Sequence, residues 1–254
     1  VAYVGFDDRI QTYQTTNLYF MRPDGSRSRM VLGQLDRSVG DPTWAADGSG
    51  VYFSYDDEGI TKVGFVTTEG RFRVVADSLG GTSVGRPYGG GNFSVASDGS
   101  VAFTYTTSTT PSEVALSSRS GGKSFLTGLN EDLKAQRRIG DAEMFWTESS
   151  YDGRPIQSWI VHPPEFDPSE SYPLLLEIHG GPISNYGDRF SAEVQLYASA
   201  GYVVLYSNPR GSTSYGAEFG NLLYHDYPGN DYDDLITAVD AVIDRGYIDE
   251  ERLY

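Results

Sequence analysis

The residues with the clearest chemical potential are His179, Gly180, Gly181 and Pro182, which directly follow the mostly apolar run Leu174–Ile178. That run is too short for a helix and predicts a strand buried on both faces. Paired glycines at its end permit a sharp turn and bring bare backbone N–H groups close to whatever lies above the strand. Ligand crevices in open α/β sheets lie off the carboxyl ends of the strands. These amides could therefore stabilise the charge that develops when a nucleophile attacks a carbonyl, or the segment could be only a tight turn.

The elements around this loop predict a doubly wound α/β sheet. In α/β-hydrolases, a His-Gly-Gly type loop after an early strand gives one N–H group to the oxyanion hole. Apolar spacing over 190–197 predicts a helix that ends at Gly201, and Tyr202–Tyr206 predicts the next buried strand. A second helical pattern covers Leu235–Ile243, and a last strand is expected over 249–254. The order of strand, helix, strand, helix and strand is typical of an α/β domain.

Charged residues near the other strand ends have structural interpretations. The loop Ser207–Ser212 follows a predicted strand and contains Arg210. An ion pair that supports the loop is favoured for this arginine over a contact with substrate. Asp231, Asp233 and Asp234 begin the second helix and could suggest a metal site, but capping and compensation of the helix dipole are favoured. No metal or cofactor is expected.

The two remaining histidines are poor candidates for a catalytic base. His162 precedes paired prolines at a predicted strand end. His225 and Asp226 are adjacent in sequence, and adjacent residues on a helix or strand do not face each other.

Two short motifs imitate functional sites. Gly81–Gly85 matches G-x-S-x-G around Ser83, but a nucleophile turn needs a strand before it and a helix after it. The following Arg86–Gly91 breaks helices, so we predict a loop. Gly121–Ser124 resembles the end of a phosphate-binding loop, but Ser117 occupies the position of its first glycine.

The first part of the chain predicts β-propeller blades. Residues 1–135 show no helical period, and short strands alternate with turns. Turn signals recur along this part, and two of them together span roughly 45 residues. This is the length of a four-stranded propeller blade. We expect between two and three C-terminal blades in 1–135, followed by a linker and the N-terminal half of an α/β-hydrolase domain in 136–254. Because propellers close with about 4–8 blades, we expect further chain before Val1. The strongest hairpin-turn signals are the Asp-Gly pairs at Asp24, Asp47 and Asp98.

Composition excludes several classes of protein. The formal net charge is −16 over 254 residues, with no basic stretch to compensate, which argues against nucleic acid and anionic membranes as partners. The absence of cysteine excludes disulfides, thiolate metal sites and a cysteine nucleophile. No apolar run approaches the length of a membrane span. No signal peptide is visible, which favours a cytoplasmic location.

The motifs in this order resemble the prolyl oligopeptidase family of serine peptidases, and most closely its acylaminoacyl-peptidase and dipeptidyl-peptidase branch. The similarity covers essentially the whole chain. Its strongest carriers are His179–Pro182, Asn208–Ser212 with Tyr215 and Gly216, Gly229–Leu235, and Gly246–Tyr254.

The resemblance implies a β-propeller that caps an α/β-hydrolase domain. It also implies hydrolysis of short peptides through an acyl-enzyme, with a Ser-Asp-His triad. The nucleophile turn is expected shortly after Tyr254, so the chain 1–254 would contribute blades and the oxyanion loop without the triad and would be inactive alone. The remainder of the polypeptide is then needed to complete the fold.

The resemblance also implies roles for individual residues. The backbone N–H of Gly181 would be the oxyanion donor, with Gly180 shaping the loop. His179 stands where some branches carry a tyrosine whose hydroxyl helps the oxyanion, and His179, Pro182 and Arg210 are candidate substrate contacts. Two other functions stay open: an esterase with a propeller cap, and a non-catalytic propeller that binds a partner. The sequence also leaves open a homo-oligomer.

Overall fold

The structure is a computed structural model that describes residues 1–254. Its first part is built from antiparallel sheets. A three-stranded sheet comes first, with its strands in chain order: β1 (Ala2–Gly5), β2 (Asn17–Phe20) and β3 (Arg29–Met30). Eight further strands form two four-stranded antiparallel meanders, which the pairing of Leu79 with Tyr105 joins into one sheet. The first contains β4 (Val39–Trp44), β5 (Gly50–Asp57), β6 (Ile60–Thr67) and β7 (Phe72–Leu79). The second contains β8 (Phe93–Val95), β9 (Val101–Thr107), β10 (Thr110–Ser117) and β11 (Lys123–Phe125).

The turns before β5 and β9 are alike, as the repeated Asp-Gly pairs predict. Gly48 and Gly99 have positive φ angles of 70° and 86°. Asp47 and Asp98 each accept the backbone N–H two residues later at 2.9 Å. The repeat itself is 51 residues, from Gly50 to Val101, which corrects the predicted value near 45. The difference arises in the long loop between β7 and β8, where no Asp-Gly pair marks the chain. The sheets close no ring within these residues, so the propeller stays a prediction.

The sheets of the first part pack face to face through β5. Val51, Phe53 and Tyr55 point towards one neighbour and share a core with residues of the three-stranded sheet, such as Leu18. Tyr52 points the other way and packs with residues of the second meander. This alternation follows from the two-residue period of a strand, which lets one strand contribute to two cores.

A short helix, α1 (Glu131–Gln136), lies where the sequence predicts only a polar linker. The preceding backbone is held by a buried carboxylate, that of Glu113 on β10. This carboxylate accepts hydrogen bonds from Thr127 Oγ1 (2.5 Å), from the N–H groups of Leu129 and Asn130 (2.9 and 3.0 Å), and from Asn130 Nδ2 (2.9 Å). Burial alone would raise the pKa of Glu113, but these hydrogen bonds outweigh it and lower the pKa to about 2.

The second part is a five-stranded sheet in the order β12, β13, β15, β14, β16. β12 and β13 run antiparallel to their neighbours, whereas β14 is parallel to both β15 and β16. The parallel strands β14, β15 and β16 follow the predicted order of strand, helix, strand, helix and strand, and the antiparallel pair β12 and β13 extends the sheet at one edge. The bounds are β12 (Ala142–Glu148), β13 (Pro155–Val161), β14 (Tyr172–Glu177), β15 (Val203–Asn208) and β16 (Ile248–Leu253).

Helices cover both faces of this sheet. On one face Val204 and Tyr206 pack with α2 (Ala192–Ser199). On the other face Val203 and Leu205 pack with α4 (Asp231–Ile243). Both predicted helices are therefore confirmed, and Gly201, whose φ angle is +95°, lies two residues after the end of α2. One short helix between them, α3 (Ala217–Gly220), has no sequence signal. None of the helices combines the length and the apolar character needed to cross a bilayer.

We predict that Glu113→Gln lowers the free energy of unfolding by about 1–3 kcal/mol at pH 7, because a neutral amide cannot accept all four donors. The ionised carboxylate stabilises the folded state fully above pH about 4.5, and this contribution is lost as the pH falls towards 2. Urea unfolding of the full-length protein at several pH values measures the difference. Glu131→Gln, at an exposed acid on α1, is the matched control and is expected to change little. A Glu113→Gln effect that persists unchanged at pH 3 would contradict this explanation.

Candidate active site

The Gly180-Gly181 turn lies at the carboxyl end of β14, and both glycines are exposed. It faces the first part of the chain, since the N–H of Gly180 donates to the Tyr88 hydroxyl at 3.1 Å. This is the edge of the sheet at which a ligand crevice is expected. The placement satisfies the first requirement for an oxyanion loop.

Gly181 presents a free backbone donor. Its N–H makes no hydrogen bond within the chain. Its φ angle is +135°, a region that glycine adopts readily and other residues rarely do. A Cβ atom at this position would lie 2.8 Å from the backbone N of Ile183. Both the backbone conformation and the available space therefore require glycine.

The buried imidazole of His179 fixes the direction of that donor. Its Nδ1 lies 3.1 Å from the carbonyl oxygen of Gly180, and its Nε2 lies 2.9 Å from Ser212 Oγ. In a trans peptide the C=O and the following N–H point in opposite directions. Holding the Gly180 carbonyl against His179 consequently directs the Gly181 N–H away from the protein interior. Burial lowers the pKa of His179, which favours the neutral ring.

This arrangement changes the interpretation of His179. Both ring nitrogens contact groups of the chain, and the side chain is only 6% exposed. His179 is therefore placed to hold the loop, not to touch substrate as the sequence suggests. Pro182 is half-buried in the same turn, and its contact with substrate stays a prediction.

The last residue of β15 and the loop after it are bonded to the segment that follows Gly181. The Asn208 side chain accepts the N–H of Tyr186 at 2.8 Å and donates to its carbonyl at 2.9 Å. The N–H of Thr213 donates to the carbonyl of Ser184 at 2.9 Å. The two loops at neighbouring strand ends thus form one rigid unit.

Arg210 connects this unit to α4. Its guanidinium forms a two-point ion pair with Asp234 of α4, at 2.9 Å (Nε–Oδ2) and 2.8 Å (Nη2–Oδ1). It also contacts Asp152 at 3.1 Å and Ser149 Oγ at 3.0 Å. Hydrogen bonds to Asp234 and Asp152 outweigh burial and raise the pKa of Arg210. The ion pair favoured by the sequence is present, and with its donors occupied Arg210 is not free to bind substrate.

Asp234 is the residue here whose role the sequence does not reveal. It is fully buried, and it serves Arg210 instead of capping α4. Its two acidic neighbours, Asp231 and Asp233, do lie in the first turn of the helix. No group of three or more acidic or histidine side chains is arranged to hold a metal ion.

The remaining candidates lie outside this site. His162 bonds to the Tyr247 hydroxyl at 3.1 Å and packs on Phe166, while His225 is exposed. Ser83 donates to the carbonyl of Arg86 at 3.0 Å within the loop between β7 and β8, and no helix follows it. The G-x-S-x-G match is therefore not a nucleophile turn.

The fold is that of solved peptidases. The structure superposes on acylaminoacyl peptidase from Pyrococcus horikoshii with a TM-score of 0.82, at 23% identity, over 99% of this chain and 38% of that one. Crystalline dipeptidyl peptidase 4 from Porphyromonas gingivalis gives a TM-score of 0.74 at 24% identity, over 99% of this chain and 35% of the other.

Sequence comparison gives the family. Residues 188–254 match the family described as Prolyl oligopeptidase family. The uncharacterized peptidase YuxL of Bacillus subtilis is 34% identical over 219 residues, which is 84% of this chain and 31% of that protein. The chain belongs to the prolyl oligopeptidase family, and it spans about a third of the length of the curated relatives it matches.

We predict that Gly181→Ala in the full-length protein lowers kcat about 10²–10³-fold, the usual loss when an oxyanion donor is removed. The added Cβ forces the Gly181–Ile183 backbone to move and misdirects the N–H. Gly246→Ala is the control, since it also strains a positive φ angle but lies at the end of α4 with free space around it. Unchanged kcat in folded Gly181→Ala protein would remove this assignment.

We also predict that Asp234→Ala destabilises the protein by about 3–5 kcal/mol, because it leaves the buried Arg210 charge without its main partner. Asp233→Ala removes a carboxylate from the same helical turn and should cost only about 0.3–1 kcal/mol through the helix dipole. Urea unfolding of both variants measures the difference. Equal losses of unfolding free energy in the two variants would show that the Arg210–Asp234 ion pair stabilises the protein no more than any negative charge at the start of α4.

Proposed function

We propose that the chain is part of a serine peptidase that hydrolyses short peptides through an acyl-enzyme. The observation that carries the proposal is the exposed, unpaired N–H of Gly181, held in one direction by the buried His179. In this proposal the first part of the chain contributes C-terminal propeller blades and the second part contributes the oxyanion side of a hydrolase active site. The serine, aspartate and histidine of the triad come from the part of the relatives' length that the chain does not span.

The geometry supports a defined role for Gly181 in acyl transfer. When a serine attacks a peptide carbonyl, the oxygen gains negative charge and needs donors placed in advance. The Gly181 amide supplies one such donor without moving, because its peptide unit is already anchored through the Gly180 carbonyl. In α/β-hydrolases a second donor comes from the residue after the nucleophile. In this proposal the buried His179 ring positions the loop.

The position of the first part supports short substrates. Tyr88 reaches the Gly180 amide, and Arg86 reaches Glu177 at the end of β14 at 3.2 Å. The antiparallel sheets therefore lie over the edge that bears the oxyanion loop. We propose that this arrangement, like the propeller cap that the family resemblance implies, admits only small or flexible substrates. Relatives are named dipeptidyl-peptidase 5, and a structural neighbour is named acylaminoacyl peptidase, so we propose dipeptidyl or acylaminoacyl substrates.

The test uses the full-length protein and a fluorophosphonate probe, which labels an activated serine. We expect labelling, and we expect faster turnover of a dipeptidyl or acyl-amino-acid anilide than of a simple p-nitrophenyl ester, relative to each substrate's spontaneous hydrolysis. The chain 1–254 alone should not be labelled.

Each other result identifies a different function. Labelling with ester turnover but no anilide turnover would indicate an esterase. No labelling of the folded full-length protein would indicate a binding module and would refute the proposed function.

A further inference from the structure

Residues 84–88 of the loop between β7 and β8 contact the second part of the chain, 136–254, which we call the catalytic half. We call Thr82–Tyr88 the docking loop. The carbonyls of Val84 and Gly85 accept the N–H groups of Ala192 and Glu193, at 2.8 and 3.2 Å. These are the first amides of α2, which have no partner within the helix. The segment that imitates a nucleophile motif in the sequence therefore caps a helix of the other half.

The rest of the docking loop is equally well held. The carbonyl of Pro87 accepts the N–H of Gly187 at 3.0 Å. Arg86 lies between two carboxylates, those of Glu177 and Glu193, each at 3.2 Å. These contacts hold the backbone just before Tyr88 against the catalytic half, and they therefore determine where Tyr88 lies.

Tyr88, the last residue of the docking loop, contacts the Gly180-Gly181 turn, which we call the oxyanion turn. Its ring packs edge to face on the buried ring of Tyr186, with centroids 4.8 Å apart. Its hydroxyl accepts the N–H of Gly180 at 3.1 Å. Gly180 is thus anchored at both of its polar groups, through its N–H to Tyr88 and through its C=O to His179. Of the backbone groups from Gly180 N–H to Gly181 N–H, only the Gly181 N–H is left without a partner.

We propose that Tyr88 is a positioning residue for the oxyanion turn, through which the first part of the chain controls the direction of the Gly181 amide. This inference rests on the proposed function. Two anchors are required because a di-glycine segment has unusual rotational freedom. His179 restrains the turn from the catalytic half, and Tyr88 restrains it from the first part of the chain. The turn is fully ordered only when both halves are in place.

The test is Tyr88→Phe in the full-length protein, which removes the hydroxyl and keeps the ring against Tyr186. Loss of one neutral hydrogen bond predicts a fall in kcat of about three- to tenfold, with KM within about twofold. A peptide aldehyde, which forms an oxyanion adduct, should bind weaker by the same factor. Hydrogen exchange of the amides over residues 178–185 should accelerate by a similar factor.

Tyr224→Phe is the matched control. Its hydroxyl also joins the two halves, donating to the carbonyl of Ile10 at 2.7 Å, but it has no contact with the oxyanion turn. We expect it to change neither kcat nor exchange over 178–185.

Two results would overturn the inference while leaving the proposed function intact. One is a Tyr88→Phe protein with wild-type kcat and wild-type exchange over 178–185. The other is an equal loss of kcat in Tyr88→Phe and Tyr224→Phe, which would mean that the hydroxyl only helps the halves to associate. Failure of the fluorophosphonate to label the wild-type protein is a separate outcome, which refutes the proposed function and this inference together.

Discussion

The candidate site depends on one peptide unit, that between Gly180 and Gly181, whose carbonyl is bonded inside the protein while its N–H is exposed. The buried imidazole of His179 makes this possible, because it reaches the Gly180 carbonyl on one side and Ser212 on the other. Buried backbone N–H groups are normally paired within a protein, whereas an exposed one is free to bind water or a ligand. The exposed Gly181 amide, at a strand end and in a conformation that favours glycine, is therefore available to a ligand.

The sheet explains why the peptide unit can be held so firmly. β14 and β15 are parallel neighbours, so their carboxyl ends lie side by side and their following loops meet. Direct bonds join these loops, and the Arg210–Asp234 pair connects the second loop to α4. Burying this pair costs solvation free energy that the attraction offsets only when the geometry is good. Its two-point contact provides that geometry, and it fixes the loop relative to the helix.

The sequence reveals those parts of the structure that leave a local pattern. Asp-Gly turns, buried strands, the two main helices and the glycine turn after β14 each have a signature within a few residues, and the helices and strands begin and end within about four residues of the predicted bounds. Contacts between distant residues leave no such signature. Arg210 pairs with Asp234 across 24 residues, and Tyr88 meets Gly180 across 92. The carboxylate of Glu113 orders the chain before α1 in the same way, which is why that segment resembles a polar linker in sequence.

Several contacts between the two halves are directional and polar. Arg189, which precedes α2, is buried against Thr61 Oγ1 at 2.6 Å and Asp56 at 3.3 Å of the first part. The N–H of Gly59 donates to Ser214 Oγ at 2.9 Å.

Apolar contact areas tolerate sliding, because the hydrophobic effect has no preferred direction. Hydrogen bonds and ion pairs weaken steeply when their angles change. Polar contacts of this kind therefore fix the orientation of the halves more strictly than apolar contacts would. That strictness is what allows a hydroxyl from one half to direct an amide in the other.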